Sequence, residues 1–434
     1  MEKTGAFHSS DWVVRHALGL AFGADVCAWA RMVTKVEQEL HDTPLALAGE
    51  ARGLGGRKRS VEAGRRPWEE VCAVLDVTNL DNWVWSRLQA LCAGDKKGVV
   101  PAYAANGLRM RHLSVTAQNL ILLDSLDEFL LKMKEGGIPV MPLKGAALLG
   151  PLFRLYEDMG ARSMSDLDLF CGPDWIDEAS AAARDLGYRM TGSSLDARGL
   201  GHHRYFAKRH ASTAGADRDV AAGLKVTVEL HYRLTVWWWH MEALDRMATT
   251  LLGSSRQAAI HPTGVDEKGP GEPWLELHVI QLCLHIVKHG MGPDLRNVLD
   301  VIELTRKYAV DWAHLQEIAR KVGIWPLVSF VLTWIEVSIL EPVDVEAPWR
   351  QSLGPAEGRA QPLLAKLIPR RRIPPLRQVI LPCAGAHTLD PHSSMVLGYL
   401  ALLPGMRAKG ATVTWWLWDR WNLRRFLPKA PGFP

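Results

Sequence analysis

Two aspartates separated by one leucine carry the clearest chemical signal in the chain. Asp166 and Asp168 lie in the segment Arg162-Ser-Met-Ser-Asp-Leu-Asp-Leu-Phe170, whose alternation of polar and apolar residues predicts a β-strand. Side chains at i and i+2 leave the same face of a strand, so the two carboxylates would lie side by side while Leu167 and Leu169 enter a core. Because two adjacent carboxylates repel, the pair favours a site for Mg²⁺ or Mn²⁺.

A later segment supplies a third acid. Lys225-Val-Thr-Val-Glu-Leu-His-Tyr-Arg-Leu234 alternates regularly, which places Glu229 and His231 on the face opposite the valines. If this strand is an antiparallel neighbour of the first, Glu229 stands beside Asp166 and Asp168. We therefore expect these three acids to be catalytic and to bind the metal, with Glu229 completing the site or taking a proton. We expect His231 to line the cleft.

A turn upstream of the aspartates has residues that could bind a phosphate group. Pro139-Val-Met-Pro-Leu-Lys-Gly145 predicts a strand followed by a turn at which a helix begins. Backbone N–H groups at Gly145 and the positive end of that helix could approach a phosphate closely, and Lys144 adds a cation. For Arg162 two interpretations remain open, which are a contact with a triphosphate and an ion pair with Asp158.

These segments together resemble the nucleotidyltransferase superfamily, which has the DNA polymerase beta-like fold, and more closely a poorly characterised bacterial branch of it. The matching blocks are Leu143-Lys-Gly-Ala-Ala147, Tyr156, Arg162-Ser-Met-Ser-Asp-Leu-Asp-Leu169, Glu229-Leu-His231, Leu282-Cys-Leu-His-Ile-Val-Lys-His289 and Leu295-Arg-Asn-Val-Leu-Asp300. The resemblance covers roughly residues 117 to 305.

The resemblance implies a metal-dependent transfer of a nucleoside monophosphate from an NTP, with ATP the expected donor. The acceptor would be a hydroxyl or phosphate of a small molecule or polypeptide that the sequence does not identify. The expected nucleotide-binding residues are Lys144, Gly145, Arg162 and Ser165. The alternative is a non-catalytic member that binds a nucleotide or a partner, such as an antitoxin-like protein or a biosynthetic-cluster scaffold. The three acids favour the enzyme.

Histidines offer weaker signals. His285 and His289 share one helix face at the spacing of a two-histidine zinc site, but no third ligand is evident, so we expect them to line the cleft. The segment His202-His-Arg-Tyr205 is expected to lie in a surface loop, the alternative being a cationic face that meets substrate. Arg296 and Asp300 are expected to form a structural i, i+4 pair.

The predicted architecture is α+β or α/β, with a small mixed β-sheet core between helical regions. Residues 1–116 form a helical region with a basic loop at 51–67, and residues 117–240 form the catalytic core. Residues 241–345 form a helical domain, and residues 346–434 a proline-rich joint followed by a Trp/Arg-rich end. An apolar stripe of Leu120, Leu123, Leu126, Leu130 and Met133 predicts the helix that precedes the core.

Composition narrows the class of protein. The net charge is only +4 over 434 residues, which argues against dedicated nucleic-acid binding. Six cysteines without a paired spacing indicate thiols, and no leader segment is evident, so we expect a cytoplasmic protein. The longest apolar stretch, Trp325 to Leu340, is too short to predict a transmembrane segment. For the Trp415–Trp421 segment, packing on the protein is favoured over peripheral membrane contact.

Overall fold

A computed structural model describes the following residues: 10–42, 66–91, 99–193, 202–209, 225–234, 242–254, 274–288 and 294–353. Most of the predicted basic loop, His289 and the Trp/Arg-rich end lie outside them.

The sheet has five strands in the order β1-β2-β5-β4-β3. They are β1 Met141–Pro142, β2 Leu167–Phe170, β3 Arg189–Ser193, β4 His203–Arg209 and β5 Lys225–His231. Strands β2 and β5 are parallel, whereas the other three pairs are antiparallel. The expectation of antiparallel pairing between the two acidic strands is therefore wrong, and the mixed-sheet prediction is confirmed.

The strands form where the alternation predicted them. Leu167 and Leu169 of β2 and Val228 and Leu230 of β5 have no exposed surface. Burial of these apolar side chains on one face leaves the acidic residues of both strands together on the other. β1 is shorter than the predicted strand, and Pro142 is tolerated there because β1 lies at the sheet edge.

Helices surround this sheet. They are α1 Ser10–Phe22, α2 Val26–Asp42, α3 Pro67–Val77, α4 Asp81–Leu91, α5 Ala102–Glu135, α6 Lys144–Leu149, α7 Ile176–Asp185, α8 Glu242–Ser254, α9 Trp274–Lys288, α10 Arg296–Lys307, α11 Trp312–Val322, α12 Trp325–Ile335 and α13 Arg350–Leu353. Gly150 ends α6, as expected before Pro151. The α+β class with helical flanks is confirmed.

Helix α5 differs from its prediction. It has 34 residues and passes through position 116, where the sequence suggested a domain boundary. Its buried face includes Leu122, Leu126 and Phe129, whereas Leu120, predicted in the apolar stripe, is 54% exposed. One buried apolar cluster extends from Val13 to Trp349, so the helical elements and the sheet share a core. The proposed division into domains stays a prediction.

A π-helical turn, Glu336–Leu340, and a 3-10 turn, Glu341–Val343, follow α12 directly and extend the apolar helical stretch three residues beyond the predicted Leu340. By length and composition, the 19 residues Trp325–Val343 could cross a membrane, and 67% of the most apolar stretch is buried inside the protein. Glu336 within it has no exposed surface and accepts a hydrogen bond of 2.7 Å from Arg350 Nε. The buried acid of this stretch is thus neutralised within the protein.

The four cysteines that the structure describes follow the prediction with one exception. Cys72, Cys171 and Cys283 are free thiols, whereas Cys27 is disulfide-bonded, so the prediction of thiols throughout is wrong at that position. Burial raises the pKa of Cys171 and of Cys283 to about 12, which leaves both without thiolate character at neutral pH.

Candidate active site

The register of β2 and β5 brings two acids together. In this parallel pair Asp168 lies directly opposite Glu229. Ligand atoms of Asp168, Glu229 and His231 lie within 4.8 Å of one another. Asp166 precedes β2 by one residue and contributes a carboxylate to the same cavity. The structure therefore places all three predicted acids at one end of the sheet, although through parallel strands.

Lys144, at the turn between β1 and α6, forms an ion pair with this acidic group. Its Nζ lies 2.7 Å from Asp168 Oδ1, and the N–H of Leu143 donates to the backbone oxygen of Asp168 at 2.9 Å. Lys144 has a φ of 46°, a left-handed backbone conformation that is unusual for a side chain of this size. Such strain persists only where surrounding contacts impose it, and it is concentrated at functional sites.

The pKa values of Asp166 and Asp168 are shifted in opposite directions. Burial by itself would raise the pKa of Asp168, but the Lys144 ammonium and a hydrogen bond from His231 hold that pKa well below its usual range. Burial and the negative charges of Asp168 and Glu229 raise the pKa of Asp166. Asp166 accepts a 2.9 Å hydrogen bond from Ser165 Oγ. Asp166 thus lies in a partly buried position beside two other carboxylates.

His231 joins the two strand acids. Its Nε2 lies 2.8 Å from Asp168 Oδ1 and 3.5 Å from Glu229 Oε2. Burial opposes its protonated form, yet these carboxylates raise its pKa. Burial also opposes the ionised form of Glu229, but His231 keeps the pKa of Glu229 lowered. His231 lies behind the carboxylates and is not among the residues that line the cavity.

The Arg162 side chain packs closely against Gly145 at the β1–α6 turn. A Cβ at position 145 would collide with Arg162 Nη1 and would approach Met164 to 3.1 Å, so close packing explains the glycine. The Arg162 guanidinium makes a two-pronged pair with Asp300, at 2.9 Å from Nε to Oδ1 and 2.7 Å from Nη2 to Oδ2. The Arg162 side chain therefore packs against the turn, and it also lines the cavity.

Two predicted ion pairs are corrected. Asp158 accepts a hydrogen bond from His112 Nε2 at 2.8 Å, so the Arg162–Asp158 pair is wrong. Arg296 pairs with Asp294 at 2.5 Å, which also makes the Arg296–Asp300 pair wrong. The two corrections are linked, because the buried Arg162 takes the fully buried Asp300, and Arg296 pairs with its partly exposed neighbour Asp294.

The acids border a cavity of about 640 Å³. It is lined by the predicted Lys144, Gly145, Arg162, Ser165, Asp166, Asp168, Glu229 and His285, together with Val77, Asn79, Met164, His203, Tyr205, Ile286, Asp294, Arg296, Asn297, Val298 and Trp334. Helices outside the sheet thus form the wall that faces the acids. This wall could not be predicted from the sequence, because nothing local marks Val77 or Trp334 as neighbours of the site.

The expected surface loop at His202–Tyr205 is wrong. His203 begins β4, lies opposite His231, and is only 3% exposed, while His202 is 7% exposed. Tyr205 lies opposite Glu229, and burial and the nearby carboxylates raise its pKa to about 12. The adjacent aromatic residues Tyr205 and Phe206, a type common in strands, were the available signal, but the surrounding Gly- and Ser-rich sequence favoured a loop.

The donor set fits a hard divalent cation. Asp166, Asp168 and Glu229 offer carboxylate oxygens, which Mg²⁺ and Mn²⁺ prefer. The closeness of the carboxylates supports this fit: ligand atoms of Asp168 and Glu229 lie within 4.8 Å of each other and Asp166 borders the same cavity, so a cation would relieve their repulsion.

Fold and site together define a nucleotidyltransferase-type core, in which a small mixed sheet presents acids from two adjacent strands beside a Lys-Gly turn. A protein family described as an uncharacterised nucleotidyltransferase matches residues 65–337, well over half of the chain, and the chain belongs to that family. No curated protein and no solved structure matches the chain.

Proposed function

We propose that the chain transfers a nucleoside monophosphate from an NTP, with ATP the expected donor, to a hydroxyl or phosphate of an acceptor. The observation that carries this proposal is the pairing of Asp168 with Glu229 on adjacent strands, at the edge of a cavity that Asp166 and the Lys144-Gly145 turn also border. The cavity volume of about 640 Å³ suits a ligand of nucleotide size.

The charges of the cavity support metal dependence. Its lining holds more carboxylates than cations, with Asp166, Asp168, Glu229 and Asp294 against Lys144, Arg162 and Arg296. The Arg162 charge is already committed to Asp300, and that of Arg296 to Asp294. Because these residues cannot neutralise a triphosphate by themselves, nucleotide binding would require divalent cations.

Bound Mg²⁺ or Mn²⁺ would supply charge neutralisation of the phosphates and a lowered pKa of the attacking hydroxyl. The chain would position the reactants. Asp166, Asp168 and Glu229 would hold the metal, and His231 fixes Asp168 and Glu229 through Nε2. Lys144 and the backbone at Gly145 would face the phosphates, so that catalysis rests on positioning and electrostatics.

Calorimetry with Mg²⁺ and a non-hydrolysable ATP analogue tests the binding step. We expect the wild type to bind only with the metal, and Asp166→Asn/Asp168→Asn to lose at least tenfold in affinity. The matched control is Asp174→Asn, an exposed aspartate away from the cavity, which should bind as the wild type does. Unchanged Mg²⁺-dependent affinity in the double variant would overturn the proposed site.

Isotope labelling then identifies the transferred group. With an extract as the source of acceptors, label at the α-phosphate of ATP should enter an acceptor, and label at the γ-phosphate should leave as pyrophosphate. Transfer of the γ-label would make the chain a kinase. Binding without transfer of either label would favour the non-catalytic, nucleotide-binding alternative.

A further inference from the structure

Three buried histidines meet beside the carboxylates, where β4 begins and β5 ends. Ligand atoms of His202, His203 and His231 lie within 4.8 Å of one another. The ring centroids of His202 and His203 are 3.9 Å apart, and those of His203 and His231 are 5.0 Å apart. All three side chains are less than 8% exposed. Pairing of His203 with His231 across the two strands creates this cluster.

The two ring nitrogens of His231 have different surroundings. Nε2 lies 2.8 Å from Asp168 Oδ1 and serves as the donor of that hydrogen bond. Nδ1 is buried and has no hydrogen-bond partner among the described residues. A histidine that binds a metal through one nitrogen usually donates its other N–H to a carboxylate, which fixes the ring and raises its basicity. His231 has this arrangement, with Nδ1 left for a ligand.

Imidazole nitrogens prefer a different cation from the one that the neighbouring carboxylates prefer. Nitrogen donors suit Zn²⁺ and similar late divalent metals, whereas Mg²⁺ takes oxygen ligands. A tetrahedral zinc with Zn–N bonds of about 2.0–2.1 Å needs donors about 3.4 Å apart. The ligand atoms of the three histidines, within 4.8 Å of one another, lie near that spacing. Glu229 Oε2, 3.9 Å from His203 Nε2, lies beside the cluster.

We propose that His202, His203 and Nδ1 of His231 bind one zinc-class divalent cation. This site is separate from the His285 helix position and does not depend on the nucleotide chemistry proposed above. An ion there fixes the His231 ring, and through Nε2 the ring holds Asp168 in position for the carboxylate site. Zinc would therefore be structural and positioning, whereas Mg²⁺ or Mn²⁺ would belong to the reaction.

The test is a titration of tag-free, metal-stripped full-length protein with Zn²⁺ by calorimetry and with Co²⁺ by visible absorption. We expect one ion per chain with the absorption of a tetrahedral, nitrogen-bound Co²⁺. His202→Gln and His203→Gln should each lower the Zn²⁺ affinity at least tenfold. The matched control is His285→Gln, which lines the same cavity outside the cluster and should leave the affinity unchanged.

Two further variants keep the proposal falsifiable if the glutamine variants lose their fold. His203→Cys should retain one zinc per chain, because a thiolate can replace an imidazole as a ligand. Asp168→Asn should still bind one zinc, since Asp168 contacts His231 and not the proposed zinc ion. Its Mg²⁺-dependent nucleotide binding should fall. Absence of stoichiometric zinc in the wild type, unchanged affinity in His203→Gln, or an equal loss in His285→Gln would overturn the proposal.

Discussion

The buried Arg162–Asp300 pair should be the strongest single polar contribution that the site makes to folding. Arg162 is 6% exposed, Asp300 is fully buried, and Tyr156 Oη donates to Asp300 Oδ1 at 2.7 Å. Asp300→Asn keeps the size of the side chain but removes its charge, which leaves a guanidinium buried without a counter-ion. Breaking a buried pair in this way typically costs about 3–5 kcal/mol. Because asparagine can still accept one hydrogen bond, we expect about 3 kcal/mol.

Urea unfolding followed by far-UV circular dichroism measures this loss as a lower midpoint at an unchanged slope. The matched control is Glu303→Gln, whose partner Arg306 is 36% exposed one helical turn away, and which should cost less than about 0.5 kcal/mol.

A double variant distinguishes the pair from simple loss of packing. Arg162→Met/Asp300→Leu removes both charges, so it should cost clearly less than the sum of Arg162→Met and Asp300→Leu alone. A cost below about 1 kcal/mol for Asp300→Asn, or strict additivity in the double variant, would refute the reasoning.

Three further predictions follow from the same structure. Gly145→Ala should destabilise by about 1–3 kcal/mol in urea unfolding because its Cβ would collide with neighbours, whereas Gly107→Ala, with open space around the Cβ, should be neutral or stabilising; equal effects would contradict this. Burial opposes the ionised form of Asp294, but the adjacent guanidinium lowers its pKa, so the pair's stabilisation is present above about pH 3.9 and is lost as pH falls through the lower folded pKa. The wild type should thus lose its advantage over Asp294→Asn as the pH falls below about 4, and a pH-independent difference would refute this. Cys171 and Cys283 should resist iodoacetamide at pH 8 in the native protein, as read by mass spectrometry, and rapid labelling would show that they are accessible thiolates.

The acidic residues of the site could be predicted because alternation is a local signal. A strand places i and i+2 on one face whatever its neighbours are, so Asp166, Asp168 and Glu229 were found from sequence alone. Strand direction could not be found in this way, because the same alternation serves parallel and antiparallel pairing. The parallel pairing of Asp168 with Glu229 depends on the path of the chain between β2 and β5.

Contacts between distant segments explain the remaining errors. Arg162 and Asp300 are 138 positions apart, and no local pattern distinguishes Asp300 from Asp158 as the partner. The burial of His203 arises only when β4 pairs with β5, since its neighbours in sequence are those of a loop. Contacts fixed by tertiary packing therefore could not be predicted from the sequence, whereas the grouping of the three acids could.

The most direct test of the central claim is a crystal structure with Mn²⁺ and a non-hydrolysable ATP analogue, in which the anomalous signal locates the metal. We expect Mn²⁺ coordinated by the carboxylates of Asp166, Asp168 and Glu229, with the triphosphate between the metal and the Lys144-Gly145 turn. A nucleotide bound elsewhere, or Mn²⁺ that leaves these three carboxylates uncoordinated, would contradict it.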